Sequence, residues 1–377
     1  MSETEKPIGK IDRIDLLTVS LPFVQPFATS VMTWACKEAL LLKIEANGIT
    51  AWGECVADPD PYYSPETTQT ARHIIKDFLL PQFKPEWSLS QLGERFHHVR
   101  GHEMAKATIE NALIDLLAKR QGQKLHEWLG WPAQKIPSGI SLGLQETQAQ
   151  LFEAIEEAVA KKYHRVKMKI KRGQDVEWVR AVRERFPDIS LMVDANGDYS
   201  LDDAAHLRQL DAFNLTMIEQ PLSYFDIYQH SLLQKQLSTA LCLDESIHTL
   251  DDAKAAIALG ACRVLNIKQG RVGGLLESIR MAGYAAANGI DVWSGGMDET
   301  GIGRAVNIHL QTAAGFNLPG DTSETSRYFE QDLVEPPVVL DPQGFIDIPP
   351  YEGIGVRIIP ERLKQVILAA EKIYPIE

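Results

Sequence analysis

A (β/α) barrel carrying a smaller α+β part is the fold this 377-residue sequence predicts, on three observations. The length exceeds one ordinary domain. From about Ile136 onward, short apolar runs alternate with longer amphipathic segments. The runs are continuously apolar, as in parallel strands covered by helices on both faces. About seven such units follow one another, which suits a closed barrel better than a doubly wound sheet.

The region before the barrel reads differently. Ile11–Leu21 and Glu38–Ala46 read as strands, and Asn47-Gly48 is a hairpin signal before a third strand, Ile49–Gly53. Pro65–Leu80 and Met104–Arg120 read as helices; in the second, Ala107, Leu113, Leu116 and Leu117 share an apolar face. The barrel strands are expected at Gly139–Leu144, Val166–Ile170, Ile189–Asp194, Met217–Gln220, Leu241–Asp244, Val264–Ile267 and Asp291–Trp293. Between them lie helical candidates at Gln145–Lys162, Asp175–Arg185, Leu201–Leu210, Leu250–Leu259 and Gly274–Asn288. A proline-rich tail ends in a helix-like stretch, Glu361–Ile373, expected to return to the first part. The divisions are then residues 1–130, 131–326 and 327–377.

Composition narrows the function. With 45% hydrophobic and 24% charged residues, the chain has the profile of a soluble globular protein. A net charge of −13 without a basic stripe argues against nucleic-acid binding. No run approaches the ~20 apolar residues of a membrane span, and Met1–Lys10 carry no signal-peptide character. The four cysteines, Cys36, Cys55, Cys242 and Cys262, form no C-x-x-C pair, as expected of a reduced, cytoplasmic protein.

The chemistry is announced at the strand ends. Lys169, Asp194, Glu219, Asp244 and Lys268 recur at steps of 25, 25, 25 and 24 residues, one per strand–helix unit. In a barrel these ends meet at one rim, so five charged side chains converge there. Three such carboxylates cannot all stay ionised without a cation. Oxygen-only ligands select a hard divalent metal, Mg²⁺ first and Mn²⁺ second. Open coordination positions would accept a substrate carboxylate, acidifying the proton on its α-carbon. Lysines on either side of the trio would face that carbon from opposite sides. Acting as bases, they need pKa values lowered toward neutrality.

These residues resemble the enolase superfamily in its muconate-lactonising branch. The resemblance lies in VKMKI (166–170), DANGDY (194–199), IEQPL (218–222), LDESI (243–247) and NIKQGRVGGL (266–275). SGGMDETGIGRA (294–305), LPGDTSETSRYF (318–329), PFATS (26–30), WGECVADPDPYYSPET (52–67) and GHEMAKATIENALIDLLAK (101–119) are similar to the o-succinylbenzoate synthase / N-succinylamino acid racemase subfamily. The resemblance implies a modified (β/α)7β barrel and an α+β capping domain built from the N-terminal part and the C-terminal tail. The loop around Phe23–Trp34, with Phe27 and Trp34, would cover the pocket.

Residue by residue, the resemblance assigns metal ligation to Asp194, Glu219 and Asp244, and acid/base work to Lys169 and Lys268. Lys167 assists electrostatically, and Glu245 orients the metal cluster. Asn196 and Ser141 are expected to touch the substrate carboxylate or a lysine, and Arg271 to tune Lys268. Gly296 and Met297 belong to the substrate pocket. After Met297 stands Asp298 where similar sequences carry an apolar residue; it either disfavours an anionic substrate group or faces solvent.

The implied reaction is dehydration of 2-succinyl-6-hydroxy-2,4-cyclohexadiene-1-carboxylate to o-succinylbenzoate in menaquinone synthesis. The alternative is racemisation of N-succinylamino acids, alone or on the same site. Remoter options are muconate cycloisomerisation, dipeptide epimerisation, or a non-catalytic metal-binding protein. The expected partner is a small carboxylate, with no nucleic acid and no membrane, in a homo-oligomer.

Overall fold

A computed structural model describes residues 3–28 and 33–375. An antiparallel sheet is built from β1 (Arg13–Ala28), β2 (Thr33–Ala46) and β3 (Ile49–Cys55), paired in that order. Asn47 and Gly48 both have positive φ, 52° and 79°, so the predicted two-residue turn joins β2 to β3. The helices α1 (Thr68–Ile74), α2 (Leu89–Phe96) and α3 (Glu103–Arg120) follow.

Two helix expectations need correction here. The first helix starts at Thr68, not Pro65, because Thr67 forms a capping box with Thr70; it then passes into a π turn over Ile75–Leu79. The helix α3 is not one-faced: every residue from Met104 to Ala118 except Glu110 is buried. It lies between the sheet and the barrel, so no side of it is free for water.

Seven parallel strands follow in strict sequence order: β4 (Gly139–Leu142), β5 (Arg165–Lys169), β6 (Leu191–Asp194), β7 (Ile218–Glu219), β8 (Leu241–Leu243), β9 (Val264–Ile267) and β10 (Asp291–Ser294). Outer helices include α4 (Gln148–Ala160), α5 (Val176–Arg185), α6 (Tyr228–Gln234), α7 (Leu250–Leu259), α8 (Leu275–Ala287) and α9 (Gly301–Leu310). The expected helix Leu201–Leu210 is instead a single α turn, Ala204–Leu207, between two 3-10 segments.

An irregular eighth segment closes the ring. The Leu318 and Asp321 amides donate to the Val292 and Ser294 carbonyls of β10 (3.2 and 2.9 Å), and the Gly139 amide of β4 donates to the Gly320 carbonyl (2.8 Å). Gly320 suits that close approach, since a Cβ would stand 2.8 Å from the Ser294 backbone carbonyl as well as against the Gln311 side chain. Inside the barrel, Met192, Met217, Cys242, Val264 and Trp293 pack as a floor beneath the rim.

The tail returns to the N-terminal sheet, but not as one helix. Only α10 (Pro360–Val366) is helical; β11 (Ile367–Tyr374) then pairs antiparallel with β1. An open sheet edge offered to Ile367, Ile373 and Tyr374 outweighs the local helical pattern.

Candidate active site

The strand ends carry the charged residues to one place. In register, Lys169 lies beside Asp194, and Asp194 beside Glu219. Asp244 follows β8 and Lys268 follows β9 directly. The trio therefore occupies the third, fourth and fifth strands, with Lys169 on the second and Lys268 on the sixth. All five side chains are largely buried.

The contacts form a chain of alternating charge. Lys169 Nζ donates to Asp194 Oδ2 (2.5 Å) and Asn196 Oδ1 (2.6 Å). Asn196 donates onward to Glu245 Oε1 (2.8 Å). Lys167 Nζ lies 3.1 Å from Glu219 Oε2 and 3.5 Å from Asp194 Oδ2. Lys268 Nζ reaches Asp244 Oδ2 (2.9 Å) and donates to the Tyr63 hydroxyl (2.8 Å). Arg271 donates to the other oxygen of Asp244. Asn266 donates to Glu219 Oε1 (2.7 Å).

At two of the lysines the neighbouring charges work against burial. Burial does push Lys268 down, but Asp244 and Tyr63 outweigh it and hold it well above the ordinary lysine range. Lys167 is likewise raised, by Asp321, Glu219 and Asp194 against its burial. Each of these ammonium groups stands 2.9 Å from a carboxylate, which favours the charged form. A dication among those carboxylates would reverse that field.

Among the described residues, no three His, Cys, Asp or Glu side chains stand as a ready-made cage for an ion, and Lys167 contacts both Asp194 and Glu219. The donor set nonetheless fits a hard divalent cation. It consists of carboxylate oxygens only. Burial and the charge of Asp194 push Glu219 up to about 8, the mark of carboxylates crowded without enough positive charge. Glu245 Oε2 is buried with no hydrogen-bond partner.

A cleft of about 1160 Å³, open to solvent, lies over these residues. Lys167, Lys169, Lys268, Ser141, Asn196, Glu245, Gly296 and Met297 line it. Arg271 does not reach the wall and acts from behind Asp244 and Tyr63. Phe23 and Trp34 of the expected lid line the cleft; residues 29–32 and the Phe27 side chain lie outside the described residues.

Two family models divide the chain between them. The mandelate racemase / muconate lactonizing enzyme N-terminal domain matches residues 13–130, and the enolase C-terminal domain-like model matches residues 150–362. The chain belongs to the enolase superfamily. An o-succinylbenzoate synthase of Geobacillus kaustophilus is 45% identical, with 92% of each chain covered. An N-succinylamino acid racemase of Amycolatopsis sp. is 41% identical, covering 96% of this chain and 98% of its own. A crystal structure of an enolase-superfamily member from Listeria innocua superposes with a TM-score of 0.92 at 39% identity, covering 96% of this chain and 98% of that one. Among the described residues, no helix is long and apolar enough to cross a membrane.

Other residues of this enolase-superfamily site escaped the sequence reading. Asp321, on the closing segment, accepts from Lys167 Nζ (2.9 Å) and from Arg165. Arg165 and Lys167 both lie over the Trp293 ring, 4.4 and 4.9 Å from its centroid. Tyr63 comes from the capping part. Its segment, and that of Asp321, were recognised, but Tyr63 lies outside the barrel period, and the run of charged strand ends is interrupted at Ser294 before it reaches Asp321.

Proposed function

We propose that this chain is an o-succinylbenzoate synthase whose site also suits racemisation of N-succinylamino acids. The observation that carries the reading is that Lys169 and Lys268, from strands on either side of the carboxylate trio, line one cleft. The similarity to relatives named for each activity supports it.

Asp194, Glu219 and Asp244 would hold a divalent metal, Mg²⁺ first and Mn²⁺ second. When bound, it supplies the positive charge that draws in a substrate carboxylate and stabilises the charge its oxygens gain on deprotonation. Lys169 Nζ, freed from Asp194 and kept in place by Asn196, takes the α-proton of the cyclohexadiene. The C–H electrons form the new ring double bond as the neighbouring C–OH bond breaks. Lys169 returns its proton to the departing hydroxide, so water leaves and the ring becomes aromatic. Lys268 stays protonated and faces the developing negative charge from the other side. Lys167, Glu245 and Arg271 keep the neighbouring charges in place. On this reading the substrate is a small carboxylate and the enzyme works in the cytoplasm, in keeping with relatives named for small-molecule reactions.

Racemisation needs more of the same residues. One lysine removes the α-proton, and the other delivers a proton to the opposite face. The presence of both at the cleft favours this second reading.

The test is a paired assay of wild type, Lys169→Ala and Lys268→Ala with Mg²⁺, following cyclohexadiene loss by ultraviolet absorbance and racemisation by polarimetry. Each substitution should lower dehydration by roughly 10²–10⁴-fold. Both should abolish racemisation. A wild type inactive in both assays would sink the proposal.

A further inference from the structure

One part of the cleft wall takes no part in this proton chemistry. Lys37 and Asp58 come from the N-terminal part, and Asp298 from the segment after β10. Lys37 is 3% exposed. Its Nζ donates to Asp58 Oδ1 (3.1 Å) and to the Met297 carbonyl (3.0 Å). Asp298 also lines the cleft, so it does not simply face solvent. Its backbone is left-handed (φ 54°), a conformation Asp tolerates better than most residues. Among the described residues, no hydrogen bond reaches its carboxylate.

The charge count sets what this wall can receive. Lys37 faces Asp58, Asp298 and the buried Glu54, with Asp58 at hydrogen-bond distance, while Glu299 and Lys268 add one charge of each sign around Asp298. The remainder is negative, and it is Asp298. A carboxylate brought here meets repulsion, whereas a cationic donor meets an acceptor without a partner. Trp34, Met297 and Tyr328 line the same cleft and offer apolar surface for an aliphatic stem.

We propose that Asp298 makes this wall a subsite for the cationic head of a basic side chain, an ammonium or guanidinium, on an N-acylated amino acid. The inference rests on the racemase reading, because it needs an α-carbon that Lys169 and Lys268 can both address. Asp298 then selects among substrates without touching the reacting atoms.

The test measures α-proton exchange in D₂O by NMR, using the full chain with Mg²⁺. The substrates are the N-succinyl derivatives of L-arginine, L-citrulline and L-glutamate. The proteins are wild type, Asp298→Asn and Asp298→Gly, both replacements tolerating the left-handed backbone. Wild type should prefer arginine to its neutral isostere citrulline, and both substitutions should reduce that kcat/KM ratio by roughly ten- to hundredfold while raising glutamate relative to citrulline. An arginine-to-citrulline ratio unchanged within about twofold in both variants overturns the inference, as does a wild type that prefers glutamate. Wild type that dehydrates the cyclohexadiene but exchanges none of the three also overturns it, and leaves the synthase reading standing. Wild type inactive in every assay removes both.

Discussion

Lys167 and Asp321 meet across the seam where the barrel closes, Nζ to Oδ2 at 2.9 Å, with Arg165 on the other carboxylate oxygen. All three side chains are more than nine-tenths buried. The two cations hold Asp321 far below the ordinary carboxylate range despite its burial. Replacing it by Asn leaves two buried cations short of a partner. Asp321→Asn should therefore lower unfolding free energy by about 3–5 kcal/mol in urea titration. A loss under about 1 kcal/mol would mean that Glu219 and Asp194 alone balance Lys167.

Tyr63 is the N-terminal part's direct contribution to the lysine pair. Its hydroxyl accepts from Lys268 (2.8 Å) and lies 3.4 Å from Arg271 Nη1. Burial raises its pKa, so it remains a neutral phenol. Tyr63→Phe keeps the ring against Lys268 and removes only the acceptor. We expect kcat to fall roughly tenfold with little change in KM, since a bond to a charged group is lost at the lysine proposed to face the developing negative charge and not at the substrate. Unchanged kcat in steady-state dehydration would reduce Tyr63 to a packing residue.

The difference between residues read correctly and residues missed follows from geometry. Lys169, Asp194, Glu219, Asp244 and Lys268 were legible because parallel strands of near-equal spacing turn a three-dimensional ring into a sequence period. Asp321 stands on the same ring, 27 residues after Ser294 at the end of β10, but Ser294 carries no charge and the Asp321 segment has no regular strand, so the run of charged strand ends breaks before it. Tyr63 is set by the docking of the N-terminal part onto the barrel, which local pattern does not encode. The tail failed for a related reason. Glu361–Ile373 has a helical pattern, yet from Ile367 it completes a sheet whose other strands lie some 350 residues earlier. A pairing partner so distant overrides local preference.

Metal binding can be followed without turnover. Burial and the charge of Asp194 raise Glu219, so neutralising it relieves repulsion as well as removing a proposed metal ligand. Glu219→Gln without added metal should stay within about 1 kcal/mol of wild type. Wild type should gain about 2.7 kcal/mol in thermal or urea unfolding at a Mg²⁺ concentration one hundred times its Kd. Glu219→Gln should lose most of that gain, and EDTA should reverse it in wild type. Equal Mg²⁺ stabilisation of both proteins would remove Glu219 from the ligand set.

The final prediction concerns acid stability, far from the cleft. His309 on α9 is fully buried and stacks on His126, ring centroids 5.2 Å apart. Its Nε2 bonds the Ile354 carbonyl (3.2 Å), and its Nδ1 accepts from the His126 amide (3.3 Å). Both nitrogens are thus satisfied by the neutral ring, and a further proton on Nδ1 would face a donor. Burial, with the neighbouring His126, pushes His309 down to about 3. The unfolded chain therefore binds a proton that the fold refuses between about pH 6.5 and 3. The stability from the neutral ring is complete above pH 6.5 and is lost as pH falls toward 3. Glu54, Glu66 and Glu110, raised to about 7 by burial, have the opposite slope, so the wild-type curve alone is mixed. The difference between wild type and His309→Gln isolates the histidine. Between pH 7 and pH 5 that difference should shift by about 2 kcal/mol in favour of the variant. A difference independent of pH would mean that His309 titrates normally within the fold.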